Sequence, residues 1–245
     1  MLGLAAGARA ETAKTHPPDT APLVLPGIGP HDRRVVINPD RGPWRAVGKL
    51  IATTINRRIS CTGTLIGPAT VLTAAHCLFN PATKHYFPPS ALHFLIGYDE
   101  GHYVGQARGR RLTIPRAYEP TDPQKTIGSD WALVTLDRKL GSASRILTMS
   151  DQPPPVGAAV MIGGYSQDHA YELTGDVACR IVGLAIDGGG RHLLRHDCTA
   201  TRGVSGAPLL VRDGDQWRIG GVDVAARVGI AGGLAVMPDP PHAGK

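Results

Sequence analysis

Three side chains in this 245-residue chain have the types and settings needed to move a proton to and from a nucleophile. His76 stands in Thr73-Ala74-Ala75-His76-Cys77, at the end of an apolar, β-branched run, and imidazole is the side chain whose ordinary pKa makes it a base near neutral pH. Asp130 heads the apolar run Asp130-Trp131-Ala132-Leu133, where a carboxylate is costly to bury unless another group accepts its charge. Ser205 stands in Gly203-Val204-Ser205-Gly206-Ala207-Pro208, where flanking glycines allow a sharp turn that brings two backbone N–H groups close to one substrate carbonyl. Each alone has a plainer account, as a surface histidine, a turn-capping aspartate or a glycine-rich turn.

Taken together, in the order His, Asp, Ser, the three segments resemble the signature blocks of the chymotrypsin-like serine peptidases. The resemblance covers roughly residues 35–237 and points to the bacterial branch that includes glutamyl endopeptidases. There the pattern His-Asp-Cys-x-x-x-x-x-Gly-x-Ser-Gly-x-Pro surrounds the nucleophile, and here it runs from His196-Asp197-Cys198 to Ser205-Gly206-Ala207-Pro208. The resemblance implies Ser205 as nucleophile, His76 as general base, Asp130 as the carboxylate that orients it, and the N–H groups of Gly203 and Ser205 as the oxyanion hole. It implies an endopeptidase acting on protein or peptide substrates without a cofactor or metal. Two other uses of the same site are a peptide-binding module that does not cut and an esterase.

The resemblance also has limits. Animal enzymes carry Asp immediately before the serine, where it pairs with a freshly cut N-terminus; Val204 stands there, so that activation switch cannot operate. The first specificity pocket is expected to be lined by Thr199, Ala200, Asp223, Val224, Ala225 and Ala226. Trypsin-like enzymes keep an acid at the Thr199 position, and glutamyl endopeptidases place a histidine where Asp223 falls. An aspartate there repels an acidic side chain, which leaves a basic or small polar residue as the expected preference.

Cys61, Cys77, Cys179 and Cys198 form two local pairs, 16 and 19 residues apart, without C-x-x-C spacing. They read as two disulfides flanking His76 and preceding Ser205, and as a mark of export. A zinc site built from His76, Cys77, His196 and Cys198 is the lesser alternative.

Positioning these residues calls for short strands. Apolar and β-branched runs occur at Val47 to Ile55, Thr62 to Ile66, Thr70 to Ala74, Ala91 to Tyr98, Arg111 to Tyr118 and Trp131 to Leu136. A second set follows at Ala158 to Tyr165, Val177 to Ile186, His192 to Cys198, Ala207 to Arg212, Trp217 to Val224 and Gly233 to Met237, with Asp213-Gly214 marking a tight hairpin. Helical periodicity is absent apart from one short turn near Ala74 to Phe79. The expected fold is all-β: two six-stranded antiparallel β-barrels, residues 35–145 carrying His76 and Asp130 and residues 146–237 carrying Ser205, with the active site in the cleft between them. Residues 1–10, closing on Ala8-Arg9-Ala10, read as a partial signal peptide, 11–34 as a leader or pro-segment, and 238–245 as a tail.

The formal net charge is +6, but its positive residues are scattered in ones and twos. That scatter indicates solubility rather than nucleic-acid binding. No apolar run approaches the roughly 20 residues that span a bilayer. The expectation is a secreted or periplasmic monomer.

Overall fold

The computed structural model describes residues 25–54 and 57–239. The expected signal peptide, most of the leader and most of the tail lie outside those residues. The first barrel closes from six antiparallel strands: β1 (Val47–Thr54), β2 (Arg57–Gly67), β3 (Thr70–Thr73), β4 (Leu92–Ile96), β5 (Gly105–Thr113) and β6 (Ala132–Leu136), in the ring order β1-β2-β3-β6-β5-β4. Leu50, Leu65, Leu72, Phe94 and Val134 are among the side chains buried in its core.

The second barrel is built from β7 (Ala159–Gly164), β8 (Thr174–Ile186), β9 (His192–His196), β10 (Pro208–Asp213), β11 (Gln216–Ala226) and β12 (Gly233–Val236). Its ring order is β7-β8-β9-β12-β11-β10, the same path as the first barrel advanced by six strands. The expected hairpin joins β10 and β11, with Gly214 in the left-handed region (φ +58°).

The strand expectations are met with two informative shifts. The run expected at Arg111 to Tyr118 lies earlier, at Gly105–Thr113. Its buried positions are only Ala107 and Gly109, alternating with exposed arginines, so the inward face lacks the large apolar residues that mark a strand. The expected first barrel begins at residue 35, yet Val35–Val36 pair with Gly175 and Thr174 of β8 in the second barrel. The segment ahead of them docks there too. Gly27 N–H donates to the Arg227 carbonyl, Arg33 is paired with Asp176, and Arg34 lies between Asp32 and Asp168.

Between the barrels, Tyr165 donates its hydroxyl to the Tyr98 carbonyl at 2.9 Å. Lys49 is buried there under the rings of Tyr98, Tyr165 and Tyr171 and donates to the Ala170 carbonyl. Burial, with the charge of Arg58 second, pulls its amine down to about 8. Disulfides join Cys61 to Cys77 and Cys179 to Cys198. Among the described residues no helix is long and apolar enough to cross a membrane.

Candidate active site

Strands β3 and β6 are antiparallel neighbours, with Thr73 opposite Ala132. The chain leaving β3 and the chain entering β6 therefore meet at one end of the barrel, and these two connections carry His76 and Asp130. His76 sits in a short 3-10 turn, Ala75–Leu78, pinned by the Cys61–Cys77 bridge to β2. Asp130, only 3% exposed, follows a second 3-10 turn, Ile127–Ser129. Its carboxylate grips His76 at two points: the backbone N–H of His76 donates to Oδ1 at 2.8 Å, and ring Nδ1 lies 2.7 Å from Oδ2. With the ring proton on Nδ1 donated to the carboxylate, Nε2 is left as the basic nitrogen. Burial pulls the His76 pKa down, but the charge and hydrogen bond of Asp130, helped by Asp223, outweigh it, so the net shift is upward.

Ser205 lies in the connection from β9 to β10. The Cys179–Cys198 bridge ties the start of this connection to β8, and Thr199 N–H donates to Asp176 Oδ2 at 2.9 Å. Two left-handed glycines shape the turn, Gly203 (φ +95°) and Gly206 (φ +85°). Neither position has room for a side chain. A Cβ on Gly203 would sit 2.4 Å from the Tyr165 carbonyl oxygen, and one on Gly206 would sit 2.3 Å from both Thr62 O and Thr73 Oγ1.

Thr62 of β2, a residue not singled out from the sequence, locks this turn to the first barrel. Its N–H donates to the Ser205 carbonyl at 2.9 Å, and its hydroxyl donates to the Gly203 carbonyl at 2.9 Å. Cys77 Sγ lies 3.7 Å from the same Ser205 carbonyl oxygen, so the histidine turn touches the serine turn through this side chain. Among the described residues, no hydrogen bond joins the Ser205 hydroxyl to His76, and the N–H groups of Gly203 and Ser205 donate to no protein acceptor. Tyr118 was also missed by sequence reading. It is buried beside Asp130, and burial and that negative charge both hold its hydroxyl in the protonated form.

A cavity of about 320 Å³ opens beside Ser205, lined by Pro26, Thr201, Arg202, Val228 and the run from Asp223 to Ala226. Asp223, Val224, Ala225 and Ala226 are therefore at the cavity, as expected. Thr199 and Ala200 are not among its lining residues. They are buried behind it, with Thr199 N–H held by Asp176 and Ala200 N–H donating to Gly27, so Thr201 and Arg202 face the space instead. Asp223 is 4% exposed, and its Oδ1 lies 3.0 Å from His196 Nε2. The thiols near His76 and near Asp197 are all in disulfides, so they supply no thiolate to a metal.

Comparison with known proteins gives this geometry its context. A match to the trypsin family spans residues 36–233. The chain belongs to that family. This trypsin-family chain is 29% identical over 160 residues to a glutamyl endopeptidase of Bacillus licheniformis, an alignment covering 64% of this chain and 48% of the relative. It is 26% identical over 185 residues to trypsin zeta of Drosophila melanogaster, covering 64% of this chain and 62% of that one. The chain thus spans between about half and three fifths of the length of these curated relatives.

Among solved structures, a Glu endopeptidase in complex with MPD superposes with a TM-score of 0.68 at 22% identity, covering 86% of this chain and 94% of that one. The protease Anisep from Arthrobacter nicotinovorans gives 0.62 at 17%, covering 83% and 93%. These bear out the two-barrel fold and the resemblance to bacterial serine peptidases near the glutamyl endopeptidases.

Proposed function

We propose that this chain is a serine endopeptidase that cleaves peptide bonds through an acyl-enzyme on Ser205. The observation that carries the reading is the two-point grip of Asp130 on His76, 2.8 and 2.7 Å, beside a serine turn where the N–H groups of Gly203 and Ser205 have no acceptor among the described residues. A serine hydroxyl is a weak nucleophile at its own pKa. His76 Nε2 takes its proton as Oγ attacks the carbonyl carbon, and Asp130 stabilises the imidazolium that forms. Negative charge gathering on the carbonyl oxygen is received by the N–H groups of Gly203 and Ser205. The proton passes to the leaving amine, and water then attacks the ester with the same imidazole as base.

The test is a fluorophosphonate probe on the folded chain. Labelling of Ser205, slowed while a saturating peptide substrate is present, supports the reading; an unlabelled but folded sample overturns it. Parallel kinetics on ester and peptide substrates separate a peptidase from an esterase, and labelling without turnover of either marks a binding module. The two disulfides favour an oxidising compartment, so secretion or the periplasm belongs to the same proposal.

The cavity favours a cationic side chain at the cleavage site. His196 is 1% exposed, and its Nδ1 has no partner among the described residues. A doubly protonated ring would bury an unpaired N–H there. A neutral ring with its proton on Nε2, donated to Asp223, leaves the carboxylate's negative charge uncompensated at the cavity wall. Arg202 also lines the cavity, but it is exposed and screened by solvent. Profiling on a mixed peptide library is expected to favour Lys or Arg over Glu, with that bias reduced by Asp223→Asn. A preference for Glu would overturn this part of the reading.

A further inference from the structure

Asp187 sits at the tip of the hairpin between β8 and β9, in the second barrel, yet its carboxylate reaches the first. Oδ1 accepts the N–H groups of Gly189 and Arg191, at 2.9 and 2.8 Å, and so shapes its own hairpin. Oδ2 accepts the N–H of Gly128 at 2.9 Å, across 59 positions of chain. Gly128 is buried in the 3-10 turn Ile127–Ser129, two residues ahead of Asp130, and the Asp130 N–H donates to Ile127 of the same turn at 3.0 Å. The fit at Gly128 is close. A Cβ there would lie 2.5 Å from Arg191 Cβ and 2.8 Å from Asp187 Oδ2.

Asp187 itself is 8% exposed. Burial pushes its carboxyl up, but the three backbone donors and Arg191 outweigh this and keep it ionised. A charged acceptor makes these bonds stronger than neutral ones. One carboxylate therefore clamps the second barrel's hairpin to the turn from which Asp130 projects. His76 lies at the end of that chain of contacts.

We infer that Asp187 is a positioning residue: by holding Gly128 from the opposite barrel, it keeps Asp130 in register with both the backbone and the ring of His76. This rests on the proposed role of Asp130 as the group that orients the base. Among the described residues, the ionisable groups facing this end are Asp130 and Asp223 around His76, Tyr118, Tyr86 and Glu119 around Asp130, Arg191 beside Asp187, and Lys125 against the hairpin at Gly188. Both tyrosines are shifted upward by burial and nearby acids, so neither ionises in the range where the histidine titrates.

The experiment uses the full chain with Asp187→Ala, Asp187→Asn, Asp130→Asn and the double variant Asp187→Ala/Asp130→Asn. Displacing the turn is expected to lower kcat about 10-fold to 100-fold with little change in KM. The acid limb of kcat/KM should move to lower pH, because a loosened Asp130 supports the protonated ring less. Asp187→Asn, whose amide oxygen can still accept from Gly128, should recover part of the loss and answers the question if the alanine variant does not fold. In the Asp130→Asn background, Asp187→Ala should cost less than about 2-fold more.

An acid limb that stays in place in both Asp187 variants, with only the melting temperature lowered, overturns the inference. Full multiplication of the two losses does the same. Failure of the wild-type chain to label at Ser205 would instead overturn the reading of the site, and this inference with it. Labelled, active wild type with an unmoved acid limb removes Asp187 alone.

Discussion

The two barrels follow one strand path, yet they serve the cleft in different currencies. The first contributes side chains held by side chains: His76 is fixed by the Asp130 carboxylate at short turns that leave β3 and enter β6. The second contributes the Ser205 hydroxyl and, around it, mainly backbone. Its serine turn depends on two left-handed glycines, two N–H groups without protein acceptors and carbonyls tied down by Thr62. The contrast implies that the His76–Asp130 pair can be deleted without disturbing the fold, whereas the backbone that frames Ser205 cannot be altered without moving chain.

The sharpest way to break that comparison is Asp130→Asn. It should reduce kcat about 10⁴-fold while leaving the melting temperature nearly intact, because the shape is kept and only the tautomer and charge are lost. Loss of the fold in this variant would mean that the acid is chiefly structural. Next is Gly203→Ala, which asks a side chain to occupy φ +95° and to sit 2.4 Å from the Tyr165 carbonyl. A fall in kcat of about 10²-fold to 10³-fold is expected, now accompanied by a lower melting temperature. An active, unperturbed Gly203→Ala enzyme would remove the backbone half of the contrast.

The bridges offer a smaller effect. Replacing both cysteines of either disulfide by alanine should cost about 3 kcal/mol in urea unfolding, since the two loops are of similar length. Activity measured well below the unfolding midpoint sharpens the point, because the Cys61–Cys77 pair adjoins His76 in sequence and the other pair does not. Smallest is the pH effect. Only the neutral imidazole can accept the serine proton, and Asp130 raises the His76 pKa, so activity should fall with a midpoint above 6.5 as pH drops. The same upward shift favours folding at low pH, a contribution that disappears as pH rises through the folded-state pKa. A rate that stays flat from pH 5 to 8 would contradict the assignment of the base.

Much of this architecture was legible because it is written locally. The histidine and serine segments carry their own constraints, a neighbouring cysteine in one and flanking glycines in the other, and Asp130 is conspicuous as a carboxylate heading an apolar strand. The strand at Gly105–Thr113 was displaced in the reading because small inward residues, Ala107 and Gly109, leave no apolar rhythm. Other features depend on partners far along the chain. Thr62 matters through Gly203 and Ser205, Asp187 through Gly128, and Arg33 through Asp176; no local pattern distinguishes any of them from an ordinary polar residue. Lys49 is of the same kind, since its burial depends on three tyrosines from elsewhere in the chain.

The order of the two covalent links has a consequence for how the molecule is made. Each joins the next available cysteine along the polypeptide, 61 to 77 and then 179 to 198, without nesting or crossing. As the chain emerges during synthesis, the first pair can oxidise before the second pair exists, so a newborn molecule meets few competing partners. Scrambled isomers are then confined to chains that remain open after all four sulfurs have appeared, and prompt closure of the leading half protects the product.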